Sequence, residues 1–386
     1  MRLAAPAALL IFLLTPPAFC AGEGSDLPSP TVQIVRFPPG VSPEAYVASL
    51  AAAGVKEAIV RVFSNPGDRP LFDGAPSRPG VLFATSSLGP SSDLWTPIRD
   101  AAARVGIAAS PWVATRSLPR EATGGEVEEA FSPGSGIVPM TRMSIFSPRF
   151  TDRLTAALCD LAIGGARRIY LQDDWLLRWG EPLSPAAREA FLRATGASAD
   201  PASLFPSGGS PNWRGYFADP RSQPALSAWL RWKGEATAIG IASFQSRVGE
   251  QAPGTILIPS IPYEVPAQPD RGLAWYGLSL AELRKNGIPE VAVMAYHRQM
   301  MQEMGISGDA LRDYLRAMAA GLREAGYGGD ASLIKLQGVD WKDGAAISAA
   351  ELSETARPFS EAGFTRFAVV LSGVPYPAGF PAKAAP

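Results

Sequence analysis

The 386-residue sequence predicts an α/β chain closed into a (β/α)8 barrel, and three observations predict it. Eight short apolar, often β-branched runs recur along the chain, amphipathic helical patterns lie between them, and long loops rich in Gly, Pro and Ser follow strands. Eight parallel strands are what such a barrel needs to close.

The runs fall at 31–37 (TVQIVRF), 57–63 (EAIVRVF), 106–113 (GIAASPWV), 168–173 (RIYLQD), 255–260 (TILIPS), 290–296 (EVAVMAY), 332–337 (SLIKLQ) and 366–371 (RFAVVL). Helix starts and stops punctuate the intervals. Ser42 and Pro43 open EAYVASLAAAG, ended by Gly54. Ser184 and Pro185 open AAREAFLRATG, ended by Gly196, and Ser348 opens AAELSETARPFSEAG, ended by Gly363. The recurrence of helix, glycine and strand in AAAGVKEAIV, AARVGIAASPWV and SEAGFTRFAVV fits βα units joined by short loops at the lower rim. The loops 114–147 and 175–220 are long by contrast and carry Trp175, Trp179, Trp213 and Tyr216. They follow strands, the side on which barrels carry their sites.

Composition excludes several classes of partner. With 35 Lys and Arg against 36 Asp and Glu, a formal net charge of −1 argues against nucleic acid or an anionic membrane surface. The leader MRLAAPAALLIFLLTPPAFCAGEG has a basic residue, an apolar run and then small and proline residues, the layout of a secretory signal. The expected organisation is a signal peptide at 1–21, a linker at 22–30, the barrel domain at 31–375 and a flexible Pro/Ala-rich tail at 376–386. A periplasmic or secreted location follows. Phe19 stands where a lipoprotein signal needs a small residue, which argues against lipidation at Cys20. After the leader no apolar run reaches transmembrane length. Cys159, within FTDRLTAALCDLA, reads as a small buried core residue, leaving no disulfide framework and no Cys-based metal site. The single histidine, His297, rules out a His-rich metal site though not an all-carboxylate one, and no G-x-S-x-G elbow accompanies it, so it reads as a hydrogen-bonding residue at the rim. Neither metal nor cofactor is expected.

The candidate chemistry lies in RIYLQDDWLLRWGEP, where Asp173 and Asp174 end the fourth strand. Side chains alternate along a strand, so Ile169, Leu171 and Asp173 share one face and Tyr170, Gln172 and Asp174 the other. The aliphatic set suits packing on helices, and parity therefore turns Asp174 toward the pocket. A bulge at the strand end would exchange the two. The competing reading is an N-cap for the stretch that follows. Adjacent carboxylates can divide into a protonated and an ionised group, the division that glycosidic cleavage needs. Neighbours on one strand cannot face each other across a bond, so the partner is Glu264, Asp340 or the substrate's own 2-acetamido group.

Trp112, Trp175, Tyr296 and Trp341 stand at or after strand ends, where flat aromatic faces suit the apolar face of a pyranose. Trp95, Trp229, Trp232 and Trp275 lie on helical patterns and read as packing. Arg36 and Arg61, near the ends of the first two strands, either line the pocket floor or pair with surface acids.

These residues resemble the carboxy-terminal hydrolase domain of the bacterial poly-β-1,6-N-acetylglucosamine deacetylases, in order from Thr31 to Pro375. TVQIVRF with AGVKEAIVRVFSNPGD is similar to that domain's first two strands, and GIAASPWV to its third. The most specific match is MSIFSPRFTDRLTAALCDLAIGGARRIYLQDDWLL followed by SPAAREAFLRATG, which resembles the stretch in which a His-Asp-Asp triplet ends strand four and carries the catalytic aspartate. LAWYGLSLAELRKNGIPEVAVMAY and LIKLQGVDWKDGAAISAAEL, including Trp341, continue the similarity. The resemblance implies internal cleavage of a partly deacetylated exopolysaccharide in a groove of aromatics and acids, with Asp173 or Asp174 as general acid/base, and components of polysaccharide export as further partners. Departures are Gln172 in the place of the triplet's histidine, His297 in place of a proline, and LSGVPYP without the family's acidic loop after strand eight. The sequence carries no counterpart of the family's metal-dependent deacetylase domain, so deacetylation is not expected of it. Two rivals remain: a non-catalytic carbohydrate-binding or export-scaffold barrel with a decayed site, and a barrel hydrolase of unrelated glycans.

Overall fold

The computed structural model describes residues 30–380 except 90 and 206–223. Eight parallel strands close a barrel: β1 (Thr31–Arg36), β2 (Glu57–Arg61), β3 (Ala108–Val113), β4 (Arg168–Leu171), β5 (Ile256–Ile261), β6 (Val291–Ala295), β7 (Ser332–Gln337) and β8 (Arg366–Ser372). They are the eight runs read from the sequence. β8 pairs back onto β1, with Thr31 against Ala368, so no strand edge remains open in the barrel.

The two faces of each strand go to different cores. Ile59, Tyr170, Ile258, Ala292, Leu333 and Ala368 fill the barrel interior. Ile34, Val60, Ile169, Leu171, Ile334 and Val369, of the opposite parity, pack outward on the helices. Those helices are α1 (Pro43–Ala52), α2 (Trp95–Arg104), α3 (Pro148–Ile163), α4 (Pro224–Gln251), α5 (Leu280–Lys285), α6 (Gly308–Glu324) and α7 (Ala349–Glu361). Two of the read helix starts are capped by their serine, Ser42 Oγ accepting from Ala45 N at 3.2 Å and Ser348 Oγ from Glu351 N at 3.3 Å, whereas Ser184 precedes its helix without a side-chain cap and its Oγ lies 3.2 Å from Ser144 Oγ. Trp95, Trp229 and Trp232 are buried, and Trp275 is partly buried. Cys159 lies on α3 as expected but is half-buried, its Sγ 3.8 Å from Arg247 O.

The loop after β3, read as irregular, contains an antiparallel hairpin of Val127–Ser132 with Gly136–Met143. It is locked to the loop after β4 by buried charge. Glu128 accepts from Ser144 Oγ at 2.7 Å and from Ser184 N at 2.8 Å, and Arg116 meets Glu181 at 2.6 Å with both side chains buried. Burial raises the Glu181 pKa, but Arg116 and Arg142 outweigh it and hold the group below its ordinary value. The start of the expected tail packs on the barrel: Phe380 is buried and its carbonyl accepts from Tyr376 Oη at 3.1 Å. The expected signal peptide, most of the linker, residues 381–386, Trp213 and Tyr216 lie outside the described residues. No helix among the described residues is long and apolar enough to cross a membrane.

Candidate active site

A cleft of about 430 Å³ opens at the upper rim, where the strands end. Strand parity builds its floor. One step above the interior layer stand Gln172 over Tyr170, Met294 over Ala292, Lys335 over Leu333 and Val370 over Ala368, all lining the cleft. Trp112, Tyr296 and Trp341 supply aromatic walls, and Asp173, Glu264 and Glu303 supply carboxyl groups.

At the end of β4 the alternation breaks. Asp173–Trp175 is a turn of 3-10 helix, so the chain no longer steps side chains to opposite faces. Asp173 comes to line the cleft. Asp174, the residue that parity favoured, is buried instead and fastened to the loop after β3: its carboxylate accepts from Thr115 N at 2.9 Å, Thr115 Oγ1 at 2.6 Å, Ser117 N at 2.7 Å and Ser117 Oγ at 2.6 Å. Burial pushes its pKa up against the lowering by these hydrogen bonds. It buckles two loops together and does not face substrate.

Trp175 also leaves the proposed sugar platform. Its ring is buried against α4, where Nε1 donates to Thr237 O at 3.3 Å and Phe244 meets it edge-on at 4.8 Å. Gly240 makes the approach possible, since a Cβ there would lie 2.7 Å from the ring. Arg36 and Arg61 do not line the floor. Arg36 pairs with Asp73 at 3.4 Å, while Arg61 staples the next loop through Asp68 at 3.2 Å and Arg69 O at 2.7 Å. His297 is turned into the protein rather than to the rim, its Nε2 2.7 Å from Glu351 Oε1. Asp340 is spent on its own turn, accepting from Lys342 N at 2.9 Å and from Arg298 at 2.7 Å.

The cleft therefore gathers Gln172, Asp173, Trp112, Tyr296, Trp341 and Glu264 from the expected set, and leaves out Asp174, Trp175, His297, Asp340, Arg36 and Arg61. It adds residues that the sequence reading passed over. Lys335 is 2% exposed at the floor, with Nζ 3.3 Å from Ser260 Oγ and 5.6 Å from the Trp112 ring centroid. Burial lowers its pKa to about 8, and the nearby Asp173 opposes that fall. Its parity with Leu333 in SLIKLQ was a usable signal. Gln33 carried the same signal in TVQIVRF. Tyr276 and Glu303 had none, because helices outside the barrel bring them in. Tyr276 reaches Glu264 because Gly272 lets its helix, Pro269–Tyr276, sit tightly on the turn after β5; a Cβ at Gly272 would lie 2.7 Å from Val265 Cα.

Four buried polar atoms in the cleft wall have no partner among the described residues: Gln33 Oε1, Trp112 Nε1, Gln172 Oε1 and Glu264 Oε2. Orphaned groups of this kind cost stability unless something fills the site. Donors, acceptors and flat rings in one cleft match the surface of a sugar.

Fold and cleft together define a (β/α)8 barrel with its cleft at the strand ends, and solved structures carry the same architecture. The glycoside hydrolase domain of PgaB (BpsB) from Bordetella bronchiseptica aligns over 93% of this chain and 96% of its own, with a TM-score of 0.65 at 19% identity. The catalytic domain of β-amylase from Paenibacillus polymyxa aligns over 89% and 93%, with a TM-score of 0.58 at 10% identity. The β-galactosidase from Marinomonas ef1 aligns over 88% of this chain and 53% of its own, at 0.55 and 11%. No protein-family model and no curated protein matches the sequence.

Proposed function

We propose that this chain is an exported glycoside hydrolase that cuts a hexosamine-containing bacterial exopolysaccharide, of the partly deacetylated poly-β-1,6-N-acetylglucosamine kind, at internal linkages. Asp173 is its catalytic carboxylate at the end of strand four. The observation that carries this reading is the placement of Asp173 at the end of β4 in one cleft with Trp112, Tyr296 and Trp341. Rings of this sort hold a pyranose by its C–H face, and a carboxylate beside the bound bond can move a proton or meet the charge that grows at the anomeric carbon. The sequence resemblance and the barrel shared with PgaB favour this class of polymer.

The test is a reducing-end assay on a panel of purified polymers. The hexosamine polymer should be cut, and Asp173→Asn should lower the rate by about 10²–10⁴-fold. An unchanged rate in that variant removes the assignment. Tight binding of oligosaccharide with no new reducing ends from the unaltered protein would favour a carbohydrate-binding barrel, and cleavage of neutral glycans alone would change the substrate class.

A further inference from the structure

Cleaving a glycosidic bond takes two acid/base functions, and Asp173 is one group. We propose that Glu264 is the proton donor of the site, with Asp173 as the carboxylate that meets the positive charge; this rests on the glycosidase reading above.

Glu264 follows β5, the strand that pairs with the one bearing Asp173, and both residues line the cleft. It is 7% exposed. Its two oxygens differ. Oε1 accepts from Tyr276 Oη at 2.9 Å, whereas Oε2 is buried with no partner among the described residues. A carboxylate left so would carry an unanswered lone pair in a desolvated wall, whereas a protonated carboxyl offers an O–H to a ligand. Burial raises the Glu264 pKa, against the lowering by its own backbone N–H, by the Tyr276 hydroxyl and by Arg271. The other titratable groups around it are Glu303 from the helix after β6, which raises it further, Tyr263 beside it in the chain and Tyr314 from α6. Asp173 lies in a different setting, near the Lys335 ammonium at the floor. The two acids are thus held in unlike electrostatic surroundings, as a division of roles requires.

The step balances as follows. The Oε2 proton passes to the bridging oxygen as the C1–O bond breaks, and the bonding pair stays with that oxygen, which leaves as an alcohol. C1 becomes electron-poor and the Asp173 carboxylate stabilises it. Water then adds to C1 through its oxygen and loses one proton to the carboxylate pair, restoring one protonated and one ionised group.

A proton donor is needed only when the leaving group is a poor one, and the test uses this. Glu264→Gln should lower kcat on the polymer by at least about 10²-fold. On a 2,4-dinitrophenyl glycoside of an oligosaccharide that the unaltered protein cuts, it should keep activity within about 10-fold, while Asp173→Asn loses both. Equal loss on the two substrates, or a raised KM with kcat unchanged, would make Glu264 a structural or sugar-binding residue and overturn the assignment. Tyr276→Phe tests it without touching the carboxyl. The hydrogen bond lost favours the ionised form, so the alkaline limb of the pH–rate profile should move to higher pH; a limb that stays put in the folded variant also overturns it. Failure of the unaltered protein to cut any polymer would remove the glycosidase reading, and this assignment with it, whereas cleavage with Glu264→Gln unaffected removes the assignment alone.

Discussion

The lower and upper rims of this barrel are built from the same eight strands, and both carry charged side chains, but they are wired differently. At the lower rim Glu57 accepts from Ser110 Oγ at 2.7 Å and Tyr170 Oη at 3.1 Å, with Arg366 at 3.8 Å. Glu290 takes Arg366 at 2.5 Å and Arg168 at 3.3 Å. At the upper rim Gln33, Trp112, Gln172 and Glu264 each keep a buried polar atom without a partner among the described residues. Paired charge holds the closed end of the ring together; unpaired polar atoms at the open end are a stored cost that a ligand can relieve. The contrast separates residues that stabilise from residues that the proposed chemistry would use.

The sharpest way to break that contrast is to make one change at each end. Arg366→Met strips a cation from two part-buried carboxylates and should cost about 2 kcal/mol, between an exposed and a buried pair, because Arg168, Ser110 and Tyr170 remain. Activity per folded molecule should hardly change. Asp173→Asn should do the reverse, losing turnover while stability stays within about 1 kcal/mol. Urea titration of both variants decides it, and a denaturation midpoint for Asp173→Asn as low as that of Arg366→Met would erase the distinction.

A smaller effect sharpens the picture of the open end. Trp341 is 43% exposed and stands edge-on to Tyr296 at 5.8 Å, so little packing depends on it. Trp341→Ala should leave the melting temperature nearly unchanged and raise KM for the polymer about 2–10-fold, the worth of one aromatic contact. A matching loss at Trp112 would be harder to interpret, since that ring also packs on Phe63 at 5.1 Å.

How far the sequence foretold these two ends follows from what each depends on. The strands were legible because hydrophobic alternation is local, and the floor residues Gln172 and Lys335 obey the same parity as their neighbours. Parity failed at Asp173 and Asp174 because it holds only while the chain is a strand, and the turn of 3-10 helix begins at Asp173. Trp175 was misread for the same reason: one residue beyond the strand, its direction is set by α4 and by the missing side chain at Gly240. Arg61, His297 and Asp340 lie near strand ends, as site residues do, yet each found a partner far enough along the chain, or placed by a turn, that spacing could not reveal it. Tyr276 and Glu303 came from the opposite error, since helices packed outside the ring delivered them to the cleft.

A cluster of ion pairs at the upper rim should behave like those of the lower rim, although its His297 Nδ1 is itself buried without a partner among the described residues. His297 Nε2 lies 2.7 Å from Glu351, Arg298 binds Glu351 at 2.7 Å, and Arg298 also holds Asp340, next to Trp341 in the chain. Burial lowers the His297 pKa from its ordinary 6.5, while Glu351 opposes that fall. The Arg298 hydrogen bonds bring Glu351 down to about 2. Both folded-state values lie below those of the unfolded chain, so each group contributes stability at neutral pH that is lost on acidification. The His297 contribution fades as pH falls below about 6.5, and the Glu351 contribution between about 4.5 and 2. Because the chain has one histidine, its ring-proton NMR signal can be followed without assignment work. Its midpoint should lie below 6.5 and fall further in Glu351→Gln, where the opposing carboxylate is gone. A midpoint at 6.5 that does not move in that variant would mean that the imidazole is solvated, and the paired cluster would then no longer explain how the Trp341 loop is held.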